Sequence, residues 1–336
     1  MDIVYCINNN YVPYIEVSIC SLLENNKEHN INIHILINDI SNENKKCLQN
    51  LVQKYNQKII FHIVDDSPLN ALKDTWSIYI WYRILIPDIL INVNKCLYLD
   101  ADTLIVGDIY DLFNIDMTDK SIAAVLDIET LNKKRFEILE YEEASKYICS
   151  GIMMMNLEFW RNHFLGNVIK SYAIANEEKI VFPDQDCINY ICKDTKILLP
   201  LKYGILNAFI LNKDFLQGYK SEIIELLEDP RIIHYAGLPP WIIEKNRHFM
   251  REYFYKYNKM TGFPVKSQHL LIGIPLIKYR IKRILDYFNI IHFKPYYCTP
   301  IKSRNKILKL FKFRKYPYAV FFTPHKSLMM LIFGLS

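Results

Sequence analysis

With 336 residues, 51% of them hydrophobic and 23% charged, the chain has enough apolar sequence for a substantial core, which excludes a disordered or low-complexity protein. Eight cysteines without paired spacing exclude a disulfide framework and a zinc ribbon, and read as buried free thiols of a reducing compartment. The net charge of +5 hides an asymmetry, because fourteen Lys and Arg face a single acid, Asp286, from Lys266 onward, leaving a tail of about +13 and a body of about −8.

Asp2–Ile7 reads as a first strand with no basic segment before it, so no signal peptide is expected. A polar turn, Asn8-Asn9-Asn10-Tyr11, leads into an apolar-periodic helix over about Tyr14–Asn25. Ile31–Ile37 is a second strand, Ser41 with Asn44 opens a helix running to about Tyr55, and Ile59–Val64 is a third strand. Strands alternating with helices predict βαβ units and a mainly parallel sheet covered on both faces, with ligands beyond the carboxyl ends of the strands.

Trp76–Ile86 is expected as a buried helix carrying Arg83, either toward that crevice or to a surface ion pair. Within Lys95–Val106 an apolar run reads as a buried strand that ends abruptly in Asp100-Ala101-Asp102, whose two carboxylates fall on one side by period-two alternation. Such a pair fits a divalent cation, and equally a cap or turn. Ile122–Leu126 is a strand ending in Asp127, and Cys149-Ser150-Gly151 reads as a turn feeding a Met-rich strand to Asn156. In Pro183-Asp184-Gln185-Asp186 the acids are helix caps or site residues. Ile232–His234 closes the series, with His234 either structural or a third metal ligand, before Gly237 and Trp241. No Walker or G-x-G-x-x-G phosphate loop occurs, and no stretch reaches the ~18 apolar residues that span a bilayer.

The ordered set Asn8 to Tyr11, Trp81-Tyr82-Arg83, Tyr98 to Asp102, Ser150-Gly151 to Asn156, Pro183 to Asp186, and His234-Tyr235-Ala236-Gly237 with Trp241 resembles the family 8 glycosyltransferases, particularly bacterial lipopolysaccharide α-galactosyl- and α-glucosyltransferases. The resemblance implies an α/β GT-A fold over residues 1–262, a Rossmann-like, mostly parallel sheet flanked by helices, with 263–336 as a basic, aromatic extension. It implies retaining transfer of a galactosyl or glucosyl group from a UDP-sugar, dependent on Mn2+, with Mg2+ an alternative. Tyr11 would stack on the uracil, Asn8 and Asn10 would hold base and ribose, and Asp100, Asp102 and His234 would hold the metal. Ala101 and Ser150 would lie along the donor, Gly237 would let backbone approach the phosphates, and Arg83, Asp127, Asp184 and Gln185 would line the sugar pocket.

Three departures from the family pattern stand out. Asn8 replaces a common Asp, Cys149 replaces a common Asn, and His-Tyr-Ala-Gly-Leu-Pro-Pro-Trp is one residue short and lacks the family Lys, for which Lys245 is a substitute. Gln185, an amide, is a poor nucleophile, which favours a front-face path over double displacement.

In the tail, Lys and Arg alternate with Ile, Leu, Phe and Tyr, as in Leu276–Phe288 and Ile307–Lys315, a composition suited to an anionic membrane surface. RNA binding is the competing reading of the same residues and a packed helical extension a third, but the aliphatic content and acidic body disfavour nucleic acid. The expected protein is cytoplasmic, peripheral to the inner face of the cytoplasmic membrane, acting on a glycan or glycolipid acceptor. The alternatives are a catalytically weak or inert scaffold that keeps the fold, and a sugar nucleotidyltransferase.

Overall fold

The computed structural model describes residues 1–72, 77–141, 146–243, 248–262 and 264–269, and within 275–281 residues 275, 277, 278 and 281. Lys245, Trp76, Cys298 and most of the 263–336 extension fall outside the described residues. Seven strands, β1 (Asp2–Cys6), β2 (Asn32–Ile37), β3 (Lys58–Ile63), β4 (Lys95–Leu99), β6 (Ile122–Leu126), β7 (Ile148–Asn156) and β8 (Lys196–Leu198), form one sheet. Its order is β3-β2-β1-β4-β7-β6-β8. A smaller sheet joins β5 (Thr103–Ile105), β10 (Ile232–His234) and β9 (Ile205–Leu206) in the order β5-β10-β9.

The large sheet is parallel except at β7, which runs antiparallel to both β4 and β6. Cys149, Ser150 and Gly151 lie within β7, so the turn expected there is instead the start of a nine-residue strand. Period-two patterning cannot distinguish the two, because β7 is buried on both faces and reads as a continuous apolar run. Helix α1 (Val12–Asn25) and helix α2 (Asn42–Gln53) cover one face, and the segment Ile78–Ile89 with helices Leu165–Ala175 and Pro183–Ile191 covers the other. Each fully buried aliphatic side chain in these layers contributes roughly 1.5–3 kcal/mol. Ser41 caps α2 as expected, accepting from the Asn44 N–H at 3.2 Å.

Two features depart from the sequence reading in ways that build the crevice. The Lys95–Val106 stretch is two strands in two sheets, so Asp100, Ala101 and Asp102 form a turn closed by the Thr103 N–H on the Asp100 carbonyl at 3.1 Å. The expected alternation therefore does not bring the two carboxylates together; the change of sheet does. Ile78–Leu85 is an eight-residue 3-10 helix, followed by a short α-helix Ile86–Ile89.

Helix α1 carries a polar stripe that fixes the start of the second sheet. Ser21 Oγ accepts from the Ile105 N–H at 2.9 Å, Asn25 donates to the Ile105 carbonyl at 3.0 Å, and Asn26 accepts from the Ile109 N–H at 2.9 Å. Ser21 and Asn25 thus occupy the open edge of β5, whose other edge pairs with β10. Gln268 donates its N–H to the Trp241 carbonyl at 2.7 Å, and its side-chain amide donates to the Tyr14 hydroxyl at 3.2 Å, which ties residues past 262 onto this body. Among the described residues no helix is long and apolar enough to cross a membrane.

His248 gives the fold a titratable element. It is 1% exposed, accepts from the Met250 N–H at 3.1 Å and lies 3.3 Å from the Ile205 carbonyl. Burial pushes its pKa from 6.5 down to about 3. The unfolded chain thus takes up a proton that the folded chain refuses, so stability is complete above 6.5 and is lost as pH falls toward 3. At pH 5 the expected loss from this group is about 2 kcal/mol. Urea unfolding of His248→Gln at pH 7 and pH 5 checks this: the variant is expected to show a pH dependence smaller by that amount, and an unchanged dependence refutes the assignment.

Candidate active site

The carboxyl ends of β1 and β4 open into a crevice whose floor is Arg83. Its side chain is buried, and one terminal nitrogen reaches the Asp184 carboxylate at 2.7 Å and the Ser150 carbonyl and hydroxyl at 2.9 Å each. The other terminal nitrogen reaches Asp100 Oδ1 at 3.1 Å. Arg83 is therefore a bridge inside the site and not a surface ion pair. The guanidinium also lies 4.5 Å from the centre of the Tyr98 ring, whose hydroxyl donates to the same Asp100 oxygen at 2.5 Å.

With Oδ1 held by Arg83 and Tyr98, Asp100 turns Oδ2 toward His234 Nε2, 3.7 Å away. Asp102 Oδ1 lies 3.2 Å from the same nitrogen. Asp100, Asp102 and His234 each offer one ligand atom, all within 4.8 Å of one another, and they are the one such group of three among the described residues. Two carboxylates and an imidazole make a mixed oxygen and nitrogen set that fits Mn2+ and Mg2+. Gly151 makes the convergence possible, because a Cβ there would stand 2.3 Å from His234 Cε1 and 2.6 Å from Asp100 Oδ2.

The electrostatics follow from these contacts. Burial works to raise the Asp100 pKa, but Arg83 and His234 outweigh it and hold the carboxyl below its usual value. Burial likewise disfavours the His234 imidazolium, yet the adjacent Asp102 prevails and raises its pKa well above 6.5. A cation held there would have to replace that proton, so its affinity would rise with pH. Tyr11 is 45% exposed and packs edge-on against Tyr14, their ring centres 5.4 Å apart; burial and then the Asp102 charge raise its phenol pKa.

Beyond Ser150 the pocket continues through Gln185. The Gln185 amide oxygen accepts from the Ser150 N–H at 3.0 Å, and its nitrogen donates to Asp127 Oδ2 and to the Tyr147 hydroxyl at 3.3 Å each. Burial raises the pKa of Asp127 and of Asp184, opposed in the latter by Arg83. Asp186 does not join them: its Oδ2 accepts the N–H groups of Val181 and Phe182 at 2.9 Å each and its Oδ1 takes the Tyr147 hydroxyl, so it fastens the start of the helix Pro183–Ile191.

The model of glycosyl transferase family 8 matches residues 2–243. The chain belongs to glycosyltransferase family 8. It is 30% identical over 245 residues to lipopolysaccharide 1,2-glucosyltransferase of Escherichia coli, covering 70% of this chain and 71% of that one. General stress protein A of Bacillus subtilis is 28% identical over 283 residues, 80% of this chain and 98% of its own length. The crystal structure of galactosyltransferase LgtC with donor and acceptor sugar analogues superposes with a TM-score of 0.70 at 20% identity, covering 84% of this chain and all of that one, so the fold is GT-A.

Within this family 8 enzyme the structure gathers Arg83, Asp100, Asp102, Asp127, Ser150, Asp184, Gln185 and His234 into one crevice, with Ala101 in the turn between the two acids. The Asn8 side-chain oxygen accepts the N–H groups of Asn10 and Tyr11 at 3.0 and 3.1 Å, capping the 3-10 turn that presents Tyr11. Asn10 is exposed beside it. Gly237 holds φ +70° at the third position of a turn closed by the Leu238 N–H on the Tyr235 carbonyl at 2.6 Å, a conformation that favours glycine. The family-type substitute Lys245 lies outside the described residues. Sequence reasoning assigned no role to Tyr98, Tyr147 or Gly151. Only Gly151 carried a signal, as a glycine interrupting an apolar strand, which marks close approach of another group.

Proposed function

We propose that this glycosyltransferase moves a galactosyl or glucosyl group, with retention, from a UDP-sugar to a lipopolysaccharide or other surface-glycan acceptor in a Mn2+-dependent reaction. The carrying observation is the convergence of Asp100, Asp102 and His234 beside the Arg83-bridged acids. The fit is chemical: the three side chains offer hard oxygen and neutral nitrogen donors, and Gly151 leaves the room they share. Asp100, Asp102 and His234 would hold the cation, which would supply positive charge to offset that developing on the departing diphosphate. Tyr11 offers an exposed ring for the uracil, while Arg83, Ser150 and Asp184 orient the hexose.

Retention by a front-face path is supported by how the candidate nucleophiles are engaged. Asp184 is held by Arg83 and the Ser150 hydroxyl, and Gln185 is fixed by hydrogen bonds on both ends of its amide. Neither is poised as in a retaining glycosidase, where a carboxylate attacks the anomeric carbon. The glucosyl and galactosyl transfer named for its relatives, and the basic, apolar tail, support action on a glycolipid precursor at the inner face of the cytoplasmic membrane.

The test is a screen of UDP-galactose, UDP-glucose and their N-acetyl forms for hydrolysis and transfer with Mn2+, paired with calorimetry of UDP with and without the metal. Metal-dependent UDP binding with turnover of one donor is the expected result. An inert scaffold gives neither, and that outcome removes the proposal.

A further inference from the structure

The His234 imidazole can offer only one nitrogen to a cation, and what the other nitrogen touches decides which tautomer is present. Nε2 faces Asp102 and Asp100 at 3.2 and 3.7 Å. Nδ1, on the opposite edge of the ring, lies 3.5 Å from the Cys149 sulfur. Among the described residues no carboxylate or backbone carbonyl takes this nitrogen as a hydrogen-bond partner. Both side chains are 4% exposed, so water is largely kept from the contact. Cys149 and Gly151, two residues apart in β7, both face the His234 ring. The same strand thus gives the ring room on one side and a sulfur on another.

We propose that Cys149 is a positioning residue for the metal ligand: its sulfur accepts the Nδ1–H of His234 and so keeps Nε2 as the nitrogen aimed at Asp100 and Asp102, the one a cation would take in place of its proton. The inference rests on the metal-dependent reading above and adds to it the partner that orients the ligand. Groups that hold a ligating histidine from behind typically change metal affinity by about 10–100-fold when removed. Sulfur is a weak acceptor, so the lower end of that range applies.

The full chain is titrated with Mn2+ at saturating UDP, following the free-ion paramagnetic resonance signal, for the unmodified protein and for Cys149→Ser, Cys149→Ala and Cys149→Val. UDP affinity without metal and the circular dichroism spectrum are recorded for each. If the sulfur acts as an acceptor, affinity follows acceptor chemistry: Ser stays within about threefold, while Ala and Val each weaken Mn2+ binding about tenfold, with metal-free UDP affinity unchanged. If the side chain only fills space, affinity follows volume, with Val nearest the unmodified protein and Ser and Ala both impaired. That order overturns the proposal, as does Mn2+ binding within threefold in every variant, or a folded Cys149→Ser that has lost tenfold. Should the unmodified protein take up no Mn2+ with UDP, the functional reading itself fails and this inference with it. The unmodified control separates the two failures.

Discussion

Gly151→Ala is expected to abolish metal-dependent UDP binding and turnover while leaving the fold in place. The added methyl would sit 2.3 Å from His234 Cε1 and 2.6 Å from Asp100 Oδ2, distances no pair of such atoms sustains. The backbone has little room to yield on the β4 side, where the Gly151 carbonyl accepts the Asp100 N–H at 2.8 Å, although the pairing with β6 is irregular here. The side chains must therefore part by about an ångström, and a displacement of that size at a reacting centre costs on the order of a hundredfold. Overpacking of this kind costs about 1–3 kcal/mol in stability, which a well-filled core of this size tolerates. Calorimetry with UDP and Mn2+, beside a thermal melt, reads both quantities. Metal affinity within a few-fold of the unmodified protein would show that the ligand set has been misassigned.

Replacing Arg83 should be costly in a different way, in stability as well as rate. The guanidinium satisfies Asp184, Ser150 and Asp100 at once, and its planar fork is what permits three simultaneous partners. In Arg83→Ala the buried Asp184 loses its counter-charge, a change that typically costs 3–5 kcal/mol. Turnover should fall by about two to three orders of magnitude, since Asp100, Ser150 and Asp184 lose their common support. Arg83→Lys should recover little, because a single ammonium cannot span the same acceptors. The double variant Arg83→Met with Asp184→Asn separates the two effects: urea unfolding should show most of the lost stability restored, while turnover stays absent. Restored turnover in that variant would reduce Arg83 to a purely structural residue.

Much of this architecture was legible because the strand-end residues advertise themselves. Asp127 after β6, His234 at the end of β10 and the polar loop after β1 each follow an apolar run, and open α/β sheets collect such ends in one crevice. The end of the strand at Asp100 was legible, but not that the next residues, Thr103–Ile105, join a second sheet. Only the pairing of β5 with β10, and the polar stripe of α1, reveal it. Asp184 and Asp186 posed the opposite problem, being alike in sequence but a helical step apart. One falls on Arg83 and the other on the backbone that begins its own helix. The role of Gly151 and the reach of Cys149 toward His234 depend on a contact across 83 and 85 residues of chain, which no local pattern encodes.

The turn at Asp100 to Asp102 also has a mechanical meaning. It is the hinge-pin between two sheets, and the third member of its cluster, His234, belongs to the smaller one. A ligand gripped by all three residues is held by both sheets and grips them in return, adding RT ln(1 + [L]/Kd) to the work of separating them. Occupancy would thereby be converted into cohesion, because a ligand held by Asp100, Asp102 and His234 would fasten the smaller sheet to the larger one.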